Sequence, residues 1–339
     1  KKYHQVRWNL KPDTYIYCAK AFSGEAVGST ANVTVTVTDK PYLDTLADRL
    51  AFAPGDRLDY AAIIADAKDR GKLKSVDAST FANAVSNAGA GDVIQLRAGV
   101  YDGRFDTLSF KGQGTAKAPI VTLADGEVTF SGNDAPSFQI TGNYHVIAGF
   151  NFSNVAKNML VIFDGGTYNR LTDHTFVNVG DPRNTTGHII RLSNNARFNR
   201  LDHNILDNYK AFAMSTVLPS YSGSKYKSYR ERYLQNVSNT DPYDEYTAYS
   251  AHNRFDHNIY RNTSGKADIT PLQIGNFPYH MLFKTDALVD NNLFTDLIDG
   301  INSKSTGEQY LFNRFVRIKG ERALSLRTGD HKRVDGNIF

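Results

Sequence analysis

The chain has 339 residues, 41% of them hydrophobic, with 39 Lys and Arg against 35 Asp and Glu and a single cysteine, Cys18. That content is enough for a sizeable core and argues against global disorder, while one cysteine excludes a disulfide framework and a multi-cysteine metal site. The net charge of +4 tolerates a polyanionic partner without requiring one, and no apolar run reaches the roughly 18 residues of a membrane span. Mild basicity without a recognised motif argues against nucleic acid.

Residues 1–39 read as β structure: "DTYIYCAKAF" and "NVTVTVT" alternate apolar and polar around the turn-rich "SGEAVGST". The segment resembles the last hairpin of an immunoglobulin-like module, and a complete module needs about 100 residues, so it is expected to be a fragment. Residues 40–74 hold "GDRLDYAAIIADAKDRG", which has helical periodicity with Asp56 as a start and Gly71 as a stop, and read as a helical connector. From 75 onward "DASTFANAVSNAGAGDVIQL" predicts a short capped helix leading into an apolar strand, followed by short β-rich runs punctuated by Gly.

The chain then repeats itself. "IAGFNFSNV", "LTDHTFVNV", "LDHNILDN", "FDHNIYRN", "VDNNLFTD", "LFNRFVRI" and "VDGNIF" each place a polar residue before an apolar pair. Taking Asn151, Thr175, Asn204, Asn258, Asn292, Arg314 and Asn337 as equivalent gives steps of 24, 29, 54, 34, 22 and 23. A period of 22–24 rich in β-branched and aromatic residues predicts an all-β solenoid, a right-handed parallel β-helix with rungs about 4.8 Å apart and a ladder of stacked Asn at one bend. His174, His203 and His257 recur beside the ladder and read as a stacked structural or surface column. Longer steps are insertions. The largest, 209–250, carries eight Tyr among several Lys and Arg. Tyr226, Tyr229 and Tyr246 are candidate sugar-stacking residues, and a solvated, Tyr-packed loop explains them equally well.

In such a solenoid, residues 23 apart sit above one another. Lys304 in "NSKS" and Arg327 in "LRTGDH" have that spacing. Two adjacent cations repel, and because Arg stays protonated, Lys304 is the one expected to lose charge. A partly neutral lysine is a usable general base, and the Arg can stabilise an oxyanion. Two ordinary surface cations are the bland alternative. Asp299 lies 23 before Arg322, which predicts a ladder salt bridge beside the pair.

The stretch "SVDASTFANAVSNAGAGDVIQLRAGVYDGRFDTLSFKGQGTAKAPIVTLADGEVTFSGND", with "VDNNLFTDLIDGINSKS" and "ALSLRTGDH", resembles polysaccharide lyase family 6, the family of alginate lyases and chondroitinase B. The resemblance runs from about residue 75 to the C-terminus. It implies a parallel β-helix that cleaves a uronic-acid polysaccharide by β-elimination, with Lys304 removing the C5 proton and Arg327 assisting the departing C4 oxygen. Calcium-binding relatives use an Asn and two acidic residues at positions that here hold Ala267, Leu297 and Asp299. A calcium-independent site is therefore expected.

Lys266, Arg322, His331 and the amide of Gln273 are then the candidates for neutralising the substrate carboxylate; His331 also reads as a turn residue. The expected substrate is alginate, with dermatan sulfate or a non-catalytic polysaccharide-binding β-helix as alternatives. The expected location is secreted, cell-surface or periplasmic. The sequence stops in mid-coil, and open strand edges there would offer a route to self-association.

Overall fold

The structure, a computed structural model, describes the strands Asp13–Tyr17, Lys20–Ser23, Ala26–Ser29 and Val33–Val37 and residues 57–102, 105–132, 135–217, 249–262, 270–275, 284–320, 322–329 and 331–339. The chain divides into two units, Lys1–Arg49 and Leu50–Phe339. In the first, Asp13–Tyr17 pairs antiparallel with Val33–Val37, and Lys20–Ser23 pairs antiparallel with Ala26–Ser29. The expected β segment is present as two nested pairs rather than one hairpin.

The second unit is a parallel β-helix with three strand faces. One face runs from Leu73–Val76 through His145–Val155 and Arg200–Asp202 to Arg333–Asp335. A second continues from the far half of His145–Val155 through Thr175–Val179 to Arg314–Val316. The third stacks Thr107–Phe110 through Phe212–Thr216, Leu272–Ile274 and Ile301–Ser303 to Leu324–Leu326.

Turning from face to face three times per coil requires a left-handed backbone residue at each corner. The corner between the first two faces holds Gly149, Asp173, His203, His257, Asn291, Phe312 and Gly336, all at positive φ. The corner after the third face holds Tyr144, Tyr168, Phe198, His252, Asp286, Gly307 and His331. A non-glycine residue costs about 1–2 kcal/mol at such a position. The neighbouring polar ladder offsets that cost.

That ladder is formed by Asn204, Asn258, Asn292, Asn313 and Asn337. Each Oδ1 accepts the backbone N–H of the residue one rung earlier, at 2.9–3.1 Å, starting from His174. Each Nδ2 donates to a carbonyl such as Leu201 or Phe255. Three members of the sequence ladder are therefore corrected. Asn151 pairs with Thr175, Thr175 with Ile205 and Arg314 with Leu293, each one residue past the ladder position. A second ladder, Asn169, Asn199 and Asn253, does the same work at the other corner. The histidine column is also corrected: His203 and His257 stack at 4.9 Å, but His174 is one residue out of phase and fully buried.

The interior is apolar and aromatic. Phe152 stacks on Phe176, and Tyr260, Phe294, Phe315 and Phe339 continue at centroid spacings of 4.7–5.0 Å, the spacing of the rungs themselves. Helix α1 (Tyr60–Asp69), capped by Asp59, packs Ile63, Ile64 and Ala67 on Val93, Val121, Leu123 and Val146 of the first face. It therefore belongs to the β-helix unit and is not a connector; its proposed start, Asp56, lies outside the described residues. Helix α2 (Ala78–Ser86) has the capping box expected of "DAST" and buries Phe81 and Val85 against the first coil.

Farther along the first face, beyond the apolar contacts of helix α1, its outward side carries a buried charge ladder. Arg170, Arg200 and Arg254 each reach one rung forward to Asp202, Asp256 and Asp290 through paired N–H···O bonds of 2.5–2.9 Å.

Candidate active site

Strand Ile301–Ser303 pairs with Leu324–Leu326 so that Ser303 faces Leu326. One residue on, Arg327 N–H donates to Ser303 O at 2.9 Å and Thr328 Oγ1 donates to Lys304 O at 3.0 Å. Lys304 and Arg327 are therefore rung neighbours, as the 23-residue spacing predicts. Lys304 is only 8% exposed, whereas Arg327 is open to solvent. Burial first, and the Arg327 charge second, push the Lys304 amine below the ordinary lysine range.

Room for this lysine comes from Gly275, which precedes it in the column at φ +80°. A Cβ on Gly275 would stand 3.2 Å from the Lys304 Cβ. Nothing in the sequence marks this glycine, because the close approach exists only once the rungs are stacked.

Upstream on the same strands, Arg322 meets Asp299 at 2.7 Å, the expected ladder bridge. The two line a shallow hollow with Thr270, Asn302 and Ser325. Asn302 Oδ1 in this hollow is buried and has no partner among the described residues. Gln273, one rung above Asn302, donates Nε2 to Gly275 O at 2.9 Å, which leaves Oε1 buried and without a partner among the described residues. Its amide N–H is thus engaged, and the side chain offers an acceptor where a carboxylate partner had been expected.

His331 stands at the left-handed corner position four residues past Arg327, a turn role. Lys266, Tyr226, Tyr229, Tyr246 and Ala267 lie outside the described residues.

Two of the three positions that would bind calcium in relatives can be tested. The Leu297 side chain is in the apolar core, 2% exposed, and the Asp299 carboxylate is engaged by Arg322. Leucine offers no oxygen to a hard cation that takes six to eight, and the Asp299 carboxylate, a possible donor, is held by a guanidinium instead. Among the described residues no cluster of His, Cys, Asp and Glu has metal-binding geometry, and no helix is long and apolar enough to cross a membrane.

Behind Lys304 sits a polar cluster that sequence reading missed. Glu308 and Lys332 are rung neighbours, 24 residues apart, and surround Ser303, Ser305 and Thr285. The same period that paired Lys304 with Arg327 would have found them.

A family model described as chondroitinase B matches residues 76–339. Among solved structures, alginate lyase AlyGC of polysaccharide lyase family 6 superposes with TM-score 0.59 at 22% identity, over 78% of this chain and 34% of its own. A mannuronic-acid-specific family 6 lyase from human gut microbiota gives 0.59 at 18% identity, over 78% and 58%. The family 6 polysaccharide lyase Pedsa3628 from Pseudopedobacter saltans gives 0.53 at 17%, over 73% and 53%. At these identities the likeness establishes the fold, and this chain spans between about a third and three-fifths of those proteins' lengths. No curated protein matches the sequence.

Proposed function

Because the chain belongs to the chondroitinase B family of polysaccharide lyases, we propose that it cleaves a uronic-acid polysaccharide, alginate before dermatan sulfate, by β-elimination and without calcium. The observation that carries this reading is the buried Lys304 with a depressed amine, one rung from an exposed arginine. A neutral Lys304 takes the C5 proton of the uronate. The electron pair forms the C4–C5 double bond as the C4–O bond breaks, and Arg327 stabilises the departing oxygen until it is protonated.

The C5 proton is acidic enough only when the adjacent carboxylate is neutralised. Arg322 stands on the same strand pair and is the described cation best placed for this. Asn302 Oδ1 and Gln273 Oε1, unpaired acceptors one rung apart, suit sugar hydroxyls, since an unsatisfied buried acceptor costs about 1–3 kcal/mol until a donor fills it. The Tyr of 218–248, with Tyr226, Tyr229 and Tyr246 among them, would then stack on sugar rings, and Lys266 would add charge. Two observations favour alginate: the modest +4 charge, against the denser basic clusters that a sulfated chain calls for, and the alginate lyases among the similar structures. A polymeric substrate of this kind accords with a secreted, cell-surface or periplasmic protein.

The test follows unsaturated-uronate absorbance with polymannuronate, polyguluronate and dermatan sulfate, each with and without EDTA, for the wild type and Lys304→Ala. Product that survives EDTA and disappears in the variant supports the reading. Product lost to EDTA overturns the calcium argument. Silence on every substrate from a folded protein favours a β-helix that binds polysaccharide without cleaving it.

A further inference from the structure

The polar cluster behind Lys304 contains a buried ion pair with no part in the elimination chemistry. Glu308 is fully buried and Lys332 has a side chain 6% exposed, with Nζ and Oε2 3.5 Å apart. Glu308 grips the segment that carries Lys304, and Lys332 spans both segments that carry the reactive cations. Glu308 Oε1 accepts the Ser305 N–H at 3.1 Å and the Ser305 hydroxyl, and Thr285 Oγ1 braces that hydroxyl at 2.9 Å. Lys332 Nζ donates to Ser303 Oγ and to Thr328 O, both at 2.5 Å. Lys304 is thus flanked by two anchored serines, and the residue after Arg327 is tied into the same cluster.

We propose that the Glu308–Lys332 pair is a positioning device that locks segment 303–305 to segment 327–328 and so sets the spacing between Lys304 and Arg327. A buried ion pair is a poor way to gain stability, because desolvating both charges offsets most of their attraction and apolar replacements often do as well. What four directed hydrogen bonds supply is a fixed register at one place on two rungs. Buried polar networks rigidify their surroundings in this way; here Glu308 Oε1 carries the hydrogen bonds and Oε2 faces the Lys332 charge.

The pair's direct charges and its positioning role make opposite predictions for Lys304. Among the described residues, the charged groups around that amine are Arg327 on the next rung, the Asp299–Arg322 bridge just before the strands, and Glu308, Lys332 and the Lys284–Asp286 pair behind. Removing the Glu308 charge alone would lower the Lys304 pKa. Loosening the clamp lets Lys304 move away from Arg327 and towards water, which raises it.

The catalytic consequence rests on Lys304 being the base, but the positioning does not. The experiment therefore titrates the Lys304 amine directly by NMR of protein labelled at lysine Cε, assigned through Lys304→Arg. Glu308→Gln and the charge-neutral Ser305→Ala are compared with the wild type, and Phe163→Leu, a core change far up the coil, is the control for general destabilisation. The expected result is a rise of about half to one pH unit in both cluster variants and none in the control. An unchanged or lowered pKa in Ser305→Ala overturns the proposal even where Glu308→Gln does not fold.

In parallel, the acid limb of the pH–rate profile should move up with that pKa, with kcat falling more than KM rises. If the wild type makes no unsaturated product, the lyase reading fails while the titration still decides the positioning.

Discussion

Acidifying the protein from pH 7.5 to 5 should destabilise it sharply, because two histidines are sealed in the core as neutral rings. His145 and His174 are both fully buried. His145 donates Nε2–H to Gly112 O at 3.0 Å, and His174 donates Nδ1–H to Thr172 O at 2.7 Å. The other nitrogen of each ring is buried with no partner among the described residues. A second proton would therefore create an unsatisfied buried donor on a charged ring.

Burial pulls both pKa values down from 6.5 to about 4, only partly countered by the carbonyls and, for His174, by Asp173 and Asp202. Between pH 6.5 and 4 the unfolded chain binds protons that the folded one refuses, so stability falls as pH falls through that window. The full difference is about 3 kcal/mol per ring, and about 2 kcal/mol of it is lost by pH 5. Together the two remove roughly 4 kcal/mol from a total that for most domains is 5–15 kcal/mol. Urea unfolding followed by circular dichroism should show the midpoint dropping by about 1 M or more between pH 7.5 and 5. His174→Phe, placed among Phe138, Phe150 and Phe176, should remove about half of the drop. A midpoint indifferent to pH, or the same slope in the variant, would refute the reasoning.

Three other outcomes are expected. Asn258→Ala interrupts the ladder where one side chain serves Asn204, Leu201 and Asn292; it should lower stability by about 3 kcal/mol, read from the urea midpoint. Arg254→Met strands Asp290 without its guanidinium and should destabilise by about 3–5 kcal/mol, whereas Arg254→Met with Asp290→Leu should recover most of it. Gly275→Ala forces a left-handed alanine against Lys304 and should cut product formation at least tenfold while changing the melting temperature by only a few degrees.

The solenoid was legible because its strands repeat at a fixed period, and the Lys304–Arg327 and Asp299–Arg322 neighbours followed from that period alone. The ladder was misplaced at Asn151, Thr175 and Arg314 because those coils carry Phe150, His174 and Asn313 at the ladder position one residue earlier; a polar residue before an apolar pair does not fix phase, whereas a left-handed corner does. The second Asn ladder escaped because its members are followed by "RL" and "RF" rather than the apolar pairs used as a guide. Helix α1 was read as a connector because a helix with an apolar stripe looks the same whether it bridges domains or covers a sheet. Glu308 and Lys332 escaped because the 24-residue step between them was not applied to that pair; the period makes them neighbours, and only the packing shows that they are buried.

The corners give the molecule a further property. The 54 residues between Asn204 and Asn258 and the 21 between Asn292 and Asn313 both close onto the next rung in the same register. Chain length between corners is therefore decoupled from rung geometry. Segments of quite different size and chemistry can be exchanged between corners while the scaffold beneath Lys304 stays put. Substrate choice and catalytic machinery are in that sense separately editable, and swapping the segment between Val217 and Tyr249 is the natural first edit.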